Sequence, residues 1–287
     1  MRLILLVLYL CVLSLPTVAQ QNTATSAWLR VPQGNLVYLR VAGGDVVVML
    51  SDAVAPAHVA RFKSLATDGF YDQRYFYRVI DGFVAQGGQG ESEEGDATPA
   101  YPPLAAEFTS PLSAEFVTAE ANAVYAPRTG FIDGVAAGTD GKTQWLLHCP
   151  GAVAFARSTD KDSATTEFYI VLGQAPHHLD KNMAVIGRVL SGMEYLQALP
   201  RGERENGGVL SDMTQRSQIQ SARLGTQLPQ SAQRQFEVQQ ASDPDFQARL
   251  NRARTLDNPF YVDKSLTPRT VDVCYYQTSV REILENP

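Results

Sequence analysis

The sequence predicts a mainly β protein folded as a closed antiparallel barrel, and three observations predict it. Short strand-like runs separated by turn signals recur along the chain. Two helical stretches accompany them, one opened by Pro56 and one over Gly192–Leu199. No regular strand–helix–strand alternation is present, which argues against a doubly wound sheet.

Taken in order, Leu36 to Arg40 and Gly44 to Leu50 read as strands joined by a tight Gly43-Gly44 turn. Pro56 fits the first turn of a helix, and Val59, Phe62, Leu65 and Ala66 give that helix an apolar stripe. Asp68-Gly69 stops it. Residues 71–90 alternate apolar and polar groups and read as two strands about an Asp81-Gly82 turn, with a glycine-rich exit. Residues 91–145 are acidic, proline-rich and glycine-rich, and read as a long inserted loop with a hairpin around Thr139-Asp140-Gly141. Gly151–Arg157, Thr166–Leu172, Ala184–Val189 and Ser217–Leu224 are strand-like, the last being the final barrel strand. Residues 225–287 form a C-terminal extension expected to pack on the barrel. Within it, Ser231–Ala253 is helix-compatible with a break at Asp243-Pro244, and Thr270–Gln277 reads as one more strand.

Composition bounds the function. With 45% hydrophobic and 19% charged residues, the chain can build a packed core. A net charge of −6 with no run of basic residues argues against nucleic-acid binding, which needs Lys and Arg to neutralise phosphates. Arg2, the apolar run Leu3–Leu13 and the small residues before Gln20 form the pattern of a secretory signal peptide over residues 1–19. The alternative is a membrane anchor, but the run is short of the ~20 residues that span a bilayer. No membrane span is expected after signal removal, and residues 20–34 read as a flexible leader. Export would leave Cys149 and Cys274, either as one disulfide or as two separate buried thiols. The expected address is the periplasm, with secretion beyond the cell as the alternative.

Three segments carry a resemblance. In FYRVIDGFVAQGG, residues Phe76, Arg78, Ile80, Gly82, Phe83, Gln86, Gly87 and Gly88 match the strand pair F-H-R-I-I-x-G-F-x-x-Q-G-G of the cyclophilins. Gly151–Ile170 and His178–Val189 are similar to two later stretches of that family, in the same order, and the A-R-x-x-D-K-D-S-A-T form is similar to bacterial exported members. The resemblance covers residues 35–224. It implies an eight-stranded barrel with two capping helices, and peptidyl-prolyl cis-trans isomerase activity without cofactor or metal. Its substrates would be proline-containing unfolded or nascent exported polypeptides, and the protein would be a monomer.

The chemistry implied is economical. The X–Pro bond exchanges over tens of seconds because its C–N bond is partly double, with a barrier of ~18–20 kcal/mol. A catalyst needs only to favour the twisted amide; removing about 5–7 kcal/mol gives a gain on the order of 10⁴–10⁵. By the resemblance, Arg78 donates to the prolyl nitrogen and Gln86 orients Arg78 and the substrate backbone. Phe83, Tyr169 and Leu179 wall an apolar proline pocket, bordered by Val84, Ala156, Glu167, His178 and Met183. Several positions depart from the family pattern. Tyr77 replaces histidine, and Tyr169 adds a hydroxyl that needs a partner. Glu167 replaces glutamine and is expected to pair with Arg157. His178 replaces the ring associated with cyclosporin binding, so weak cyclosporin affinity is expected. The alternative reading is a peptide-binding or scaffold protein on the same fold with a degraded site. The pair His177-His178 with Asp180 has metal-ligand residue types, but no further cluster completes a site.

Overall fold

The computed structural model describes residues 27–90 and 101–284. The segment read as a signal peptide and the acidic residues Glu91, Glu93, Glu94 and Asp96 lie outside them. In chain order the strands and helices are β1 (Trp28–Arg30), β2 (Leu36–Val41), β3 (Gly44–Leu50), α1 (Pro56–Thr67), β4 (Tyr75–Val79) and β5 (Val84–Gly88). Then come β6 (Ser110–Pro111), β7 (Val117–Ala123), β8 (Ala126–Ile132), β9 (Val135–Thr139), β10 (Thr143–Leu146), β11 (Ala152–Phe155), β12 (Phe168–Val171) and β13 (Val185–Ser191). The chain closes with α2 (Met193–Gln197), β14 (Ser217–Gln218), β15 (Ser221–Leu224), β16 (Gln235–Gln239), α3 (Pro244–Thr255) and β17 (Val280–Ile283).

The central sheet is antiparallel, in the order β14-β4-β5-β12-β11-β13-β3-β2-β15. Its two edge strands are pieces of one stretch, parted by Ile219 and Gln220. That stretch pairs with β4 through Ser217 and with β2 through Ser221, so the sheet curls toward its own far edge. The expected single strand Ser217–Leu224 is therefore broken in two. Ile219 is fully buried, and its backbone bonds to Gln73 and Arg74, which turns the chain from one neighbour to the other.

Period-two alternation gives this sheet two buried faces. Val37, Leu39, Val41, Val46, Val48 and Leu50 enter one apolar cluster, and Leu36, Tyr38, Val47 and Met49 enter another. Helix α1 covers the first face with Val59, Phe62, Leu65 and Ala66, and the Phe62 ring meets Phe155 and Phe168 edge to face. Burying a ring of that size contributes about 1.5–3 kcal/mol. The helix starts at Pro56, but its cap comes from far along the chain. The Glu107 carboxylate accepts from the backbone N–H groups of Ala57 and His58 at 3.1 and 3.0 Å. A negative group at a helix N-terminus satisfies orphan donors and complements the dipole.

The second face is covered by the inserted segment and the tail. The insertion, expected as a loop with one hairpin around Thr139-Asp140-Gly141, forms a five-stranded sheet over residues 110–146, in the order β6-β10-β9-β8-β7, and the expected hairpin is the one that joins β9 to β10. Its close packing uses small residues: a Cβ at Gly138 would lie 2.7 Å from the Trp145 ring. Strands β1, β16 and β17 make a third sheet, so Trp28–Arg30 is paired β structure rather than part of a flexible leader. The tail differs from expectation twice more. Helix compatibility was expected across Ser231–Ala253, yet β16 buries Phe236 and Val238 on one side, and the helix begins only where Asp243 caps it. Thr270–Gln277 is not a strand: the Asp272 carboxylate accepts from Cys274 N–H at 2.8 Å and forms a turn, and the strand follows at Val280. Cys149 and Cys274 are disulfide-bonded, with Cα atoms 4.8 Å apart, and tie this turn to the loop before β11. Arg188 of β13 reaches from the central sheet to donate to Gln277 and Thr278. Among the described residues, no helix is long and apolar enough to cross a membrane.

Candidate active site

A bulge in β4 starts the site. Phe76 pairs with Gly87 and Arg78 with Gln86, which leaves Tyr77 as an extra residue. Bulges re-aim side chains, and here Tyr77 and Arg78 both reach Gln86. Across the sheet, Arg78 pairs with Gln86, Gln86 with Tyr169, Tyr169 with Ala154 and Ala154 with Val185. Directly opposed residues share a face. The guanidinium and Tyr169 therefore stand on one side of the sheet, two strands apart.

The polar half of the site is a hydrogen-bonded row. Arg78 Nη1 donates to Gln86 Oε1 at 2.9 Å, and Arg78 Nε donates to the Gly207 carbonyl at 2.9 Å. Among the described residues these bonds use Nε and Nη1, which leaves Nη2 for a ligand. Gln86 Nε2 donates to the Tyr77 hydroxyl at 2.7 Å, and that hydroxyl donates to Glu167 Oε2 at 2.6 Å. Glu167 Oε1 accepts from the N–H groups of Gln89 and Gly90. Burial pushes the Glu167 carboxyl above its ordinary value, against the hydrogen bonds from Tyr77, Gly90 and Gln89. Gly88 makes room for it, because a Cβ there would lie 2.5 Å from Oε1 and the backbone has φ +141°. The expected Glu167–Arg157 pair does not form. Arg157 instead donates to the carbonyls of Asn182 and Ser158, since Glu167 faces the β4–β5 hairpin.

The apolar half gathers the remaining expected residues. Val84 and Tyr169 are buried in one cluster, with Phe83, Ala156, Leu179 and Met183 packed against it half-exposed. The exposed His178 ring stacks on Phe83 at 6.2 Å. Residues His177–Leu179 form a short 3-10 turn, which presents His178 and Leu179 beside the cluster. Adjacent histidines thus serve different ends: His177 Nδ1 bonds Asp180 Oδ2 at 2.7 Å, and His178 faces Phe83. Among the described residues no group of three or more His, Cys, Asp or Glu side chains is placed to hold a metal ion.

Sequence reasoning missed His148. It is fully buried, and its Nε2 lies 2.9 Å from the Tyr169 hydroxyl while its Nδ1 lies 2.7 Å from Asp180 Oδ1. Burial pushes the Asp180 carboxyl up, but hydrogen bonds from His148 and His177 outweigh it and leave the group below its ordinary value. The ionised carboxylate accepts from Nδ1–H, so in the neutral ring Nε2 accepts from Tyr169 O–H. Burial holds that hydroxyl protonated far above the ordinary tyrosine range. The one signal available in the sequence was the extra hydroxyl at residue 169, which required a partner. Tyr77 was visible as a departure, but its position at a bulge was not.

Comparison with known proteins identifies the family and the fold. The family model described as cyclophilin type peptidyl-prolyl cis-trans isomerase matches residues 36–224. A probable peptidyl-prolyl cis-trans isomerase of Brucella suis is 32% identical over 186 residues, covering 61% of this chain and 76% of that protein. Peptidyl-prolyl cis-trans isomerase A of Dickeya dadantii is 27% identical over 193 residues, covering 66% of this chain and 83% of that protein. The crystal structure of cyclophilin AquaCyp293 from Hirschia baltica superposes with a TM-score of 0.69 at 24% identity, covering 91% of this chain and 95% of that one. The likeness of fold thus extends beyond residues 36–224. The chain belongs to the cyclophilin-type peptidyl-prolyl cis-trans isomerase family.

Proposed function

We propose that this chain rotates X–Pro bonds in exported polypeptides, with Arg78 as the catalytic group and the Phe83–Tyr169–Leu179 cluster as the seat of the proline ring. The observation that carries this reading is the shared face: a guanidinium held by Gln86 stands beside the apolar cluster that Tyr169 enters. As the C–N bond twists, conjugation breaks and the prolyl nitrogen becomes an acceptor. A donor fixed there interacts mainly with the transition state, which raises turnover rather than mere affinity. Gln86 fixes Arg78, and Tyr77 with Glu167 fixes Gln86. No nucleophile or proton transfer enters the scheme. Phe83, Val84, Ala156, Leu179 and Met183 bind the ring through apolar contact, with His178 and Glu167 at the groove margin.

Export is part of the proposal. The pattern of residues 1–19 supports it, and so does the bonded pair Cys149–Cys274, since structural disulfides persist in oxidising compartments. The periplasm is the proposed address.

A protease-coupled assay on a proline peptide tests the chemistry. Wild-type protein is expected to accelerate isomerisation, and Arg78→Ala to lose on the order of 10²-fold or more in kcat/KM. Wild-type turnover at background would overturn the enzymatic reading in favour of a peptide-binding scaffold.

A further inference from the structure

We propose that the inserted sheet and the C-terminal tail set the shape of the proline pocket through one buried polar chain, with His148, Asp180 and His177 as positioning residues. This deepens the pocket reading above and rests on it. The chain begins at the pocket floor, where the Tyr169 hydroxyl, in a residue only 3% exposed, lies 2.9 Å from His148 Nε2. It passes from His148 to Asp180 Oδ1, and from Asp180 Oδ2 to His177 Nδ1, each at 2.7 Å. The His177 ring then stacks on Tyr125 with centroids 3.6 Å apart and planes within 12°. Tyr125 belongs to the β7–β8 turn of the insertion, and its hydroxyl donates to Asp272 of the tail at 2.9 Å. His177 Nε2 also lies 3.9 Å from Cys274 Sγ, the tail half of the disulfide.

Asp180 holds a second part of the pocket. It ends the turn carrying His178 and Leu179, and its Oδ1 also accepts from His148 N–H at 3.0 Å. Floor and wall therefore share one carboxylate. From Tyr169 to Tyr125 each member is buried or half-buried, and only the terminal Asp272 is exposed, so an inner member displaced from its partner is left unsatisfied in a poorly solvated site. Displacing His177 from Tyr125 moves Asp180, and with it the Tyr169 ring and Leu179.

The test uses the full-length oxidised protein and measures kcat, KM, thermal midpoint and the Kd of an Ala-Pro peptide by NMR titration. The variants are Tyr125→Ala, His148→Leu, His148→Gln, Tyr169→Phe and the double variant Tyr125→Ala/Tyr169→Phe. We expect Tyr125→Ala and His148→Leu each to lower kcat/KM about fivefold, mainly by raising KM, the size of one lost hydrogen bond. His148→Gln, which can still accept from Tyr169 and donate to Asp180, is expected to restore activity to within twofold. In the double variant the combined loss should fall short of the product of the two single losses, because the share carried through the Tyr169 hydroxyl is lost only once while the Leu179 share remains. Multiplying losses, or Tyr125→Ala within twofold of wild type in both KM and Kd, would overturn the proposal. Tyr125 lies in a hairpin turn, so its variant stays decisive should His148→Leu fail to fold. Arg78→Ala run alongside separates the two readings: its loss with an additive cycle would keep the catalytic proposal and sink this one. If wild-type turnover is absent, the peptide Kd carries the cycle.

Discussion

The two halves of the site draw on different distances along the chain. Arg78, Gln86 and Tyr77 satisfy one another across eight or nine residues of a single hairpin. Tyr169 depends on a histidine 21 residues away, which depends on a carboxylate 32 residues away, and His177 contacts a cysteine 97 residues away. The first half has a local centre on one hairpin, braced from a distance only at its ends, by Gly207 on Arg78 and Glu167 on Tyr77. The second is an apolar seat whose position is set by the elements around it, and these include the two segments outside the central sheet.

The two halves should therefore break differently. The largest expected effect is on the far side. Reducing the Cys149–Cys274 bridge, which spans 125 residues, should cost about 4–5 kcal/mol by releasing denatured-chain entropy. Urea melts with and without reductant measure it, and a loss under about 1 kcal/mol would show that the tail is held by other contacts. On the near side, Arg78→Lys keeps the charge and loses the planar fork that binds Gln86 and Gly207 together. It should lower kcat/KM by roughly 10–100-fold with little change in the melt. Unaltered turnover would mean that charge alone suffices.

Tyr77→Phe comes next. It removes the hydroxyl between Gln86 and Glu167 and leaves a buried carboxylate oxygen short of a donor. We expect a loss of about 1–3 kcal/mol in stability, with Gln86 less well fixed and kcat lowered several-fold. A stable variant with full kcat would sever Glu167 from the catalytic row.

The smallest effect contrasts the two halves by pH. Glu167 is raised above 4.5 in the folded protein, so its contribution to stability is present below that value and lost as pH rises through the folded one. Asp180 is lowered from 3.8, so its contribution is present above that value and lost as pH falls through the folded one. Stability measured against pH should then change slope with opposite sign in Glu167→Gln and Asp180→Asn. The same sign in both would contradict the electrostatic contrast.

What the sequence made legible follows the same division. Arg78, Phe83 and Gln86 could be read because the residues that carry the resemblance lie in one contiguous hairpin, in which Arg78 pairs with Gln86. The strands β2 and β3 were legible from their apolar runs, and α1 from Pro56 and its stripe. Of the inserted sheet only the Thr139-Asp140-Gly141 hairpin was, because β9 reads VAAGT and owes its place largely to close packing of small residues. Strand β16 hid behind polar residues, although Phe236 and Val238 alternate there. Thr270–Gln277 misled in the other direction: Val271 and Val273 alternate, but Asp272 closes a turn with Cys274. His148 was invisible because its role comes from two partners that only the fold supplies.

The central claim is that Arg78 acts on the twisted amide and not on the resting peptide. NMR exchange spectroscopy on an Ala-Pro peptide reads the catalysed isomerisation rate and the Kd in one sample, for wild-type protein and Arg78→Ala. We predict that the catalysed rate falls on the order of 10²-fold or more while the Kd changes less than about threefold. A Kd weakened as much as the rate, or a rate left intact, would contradict it.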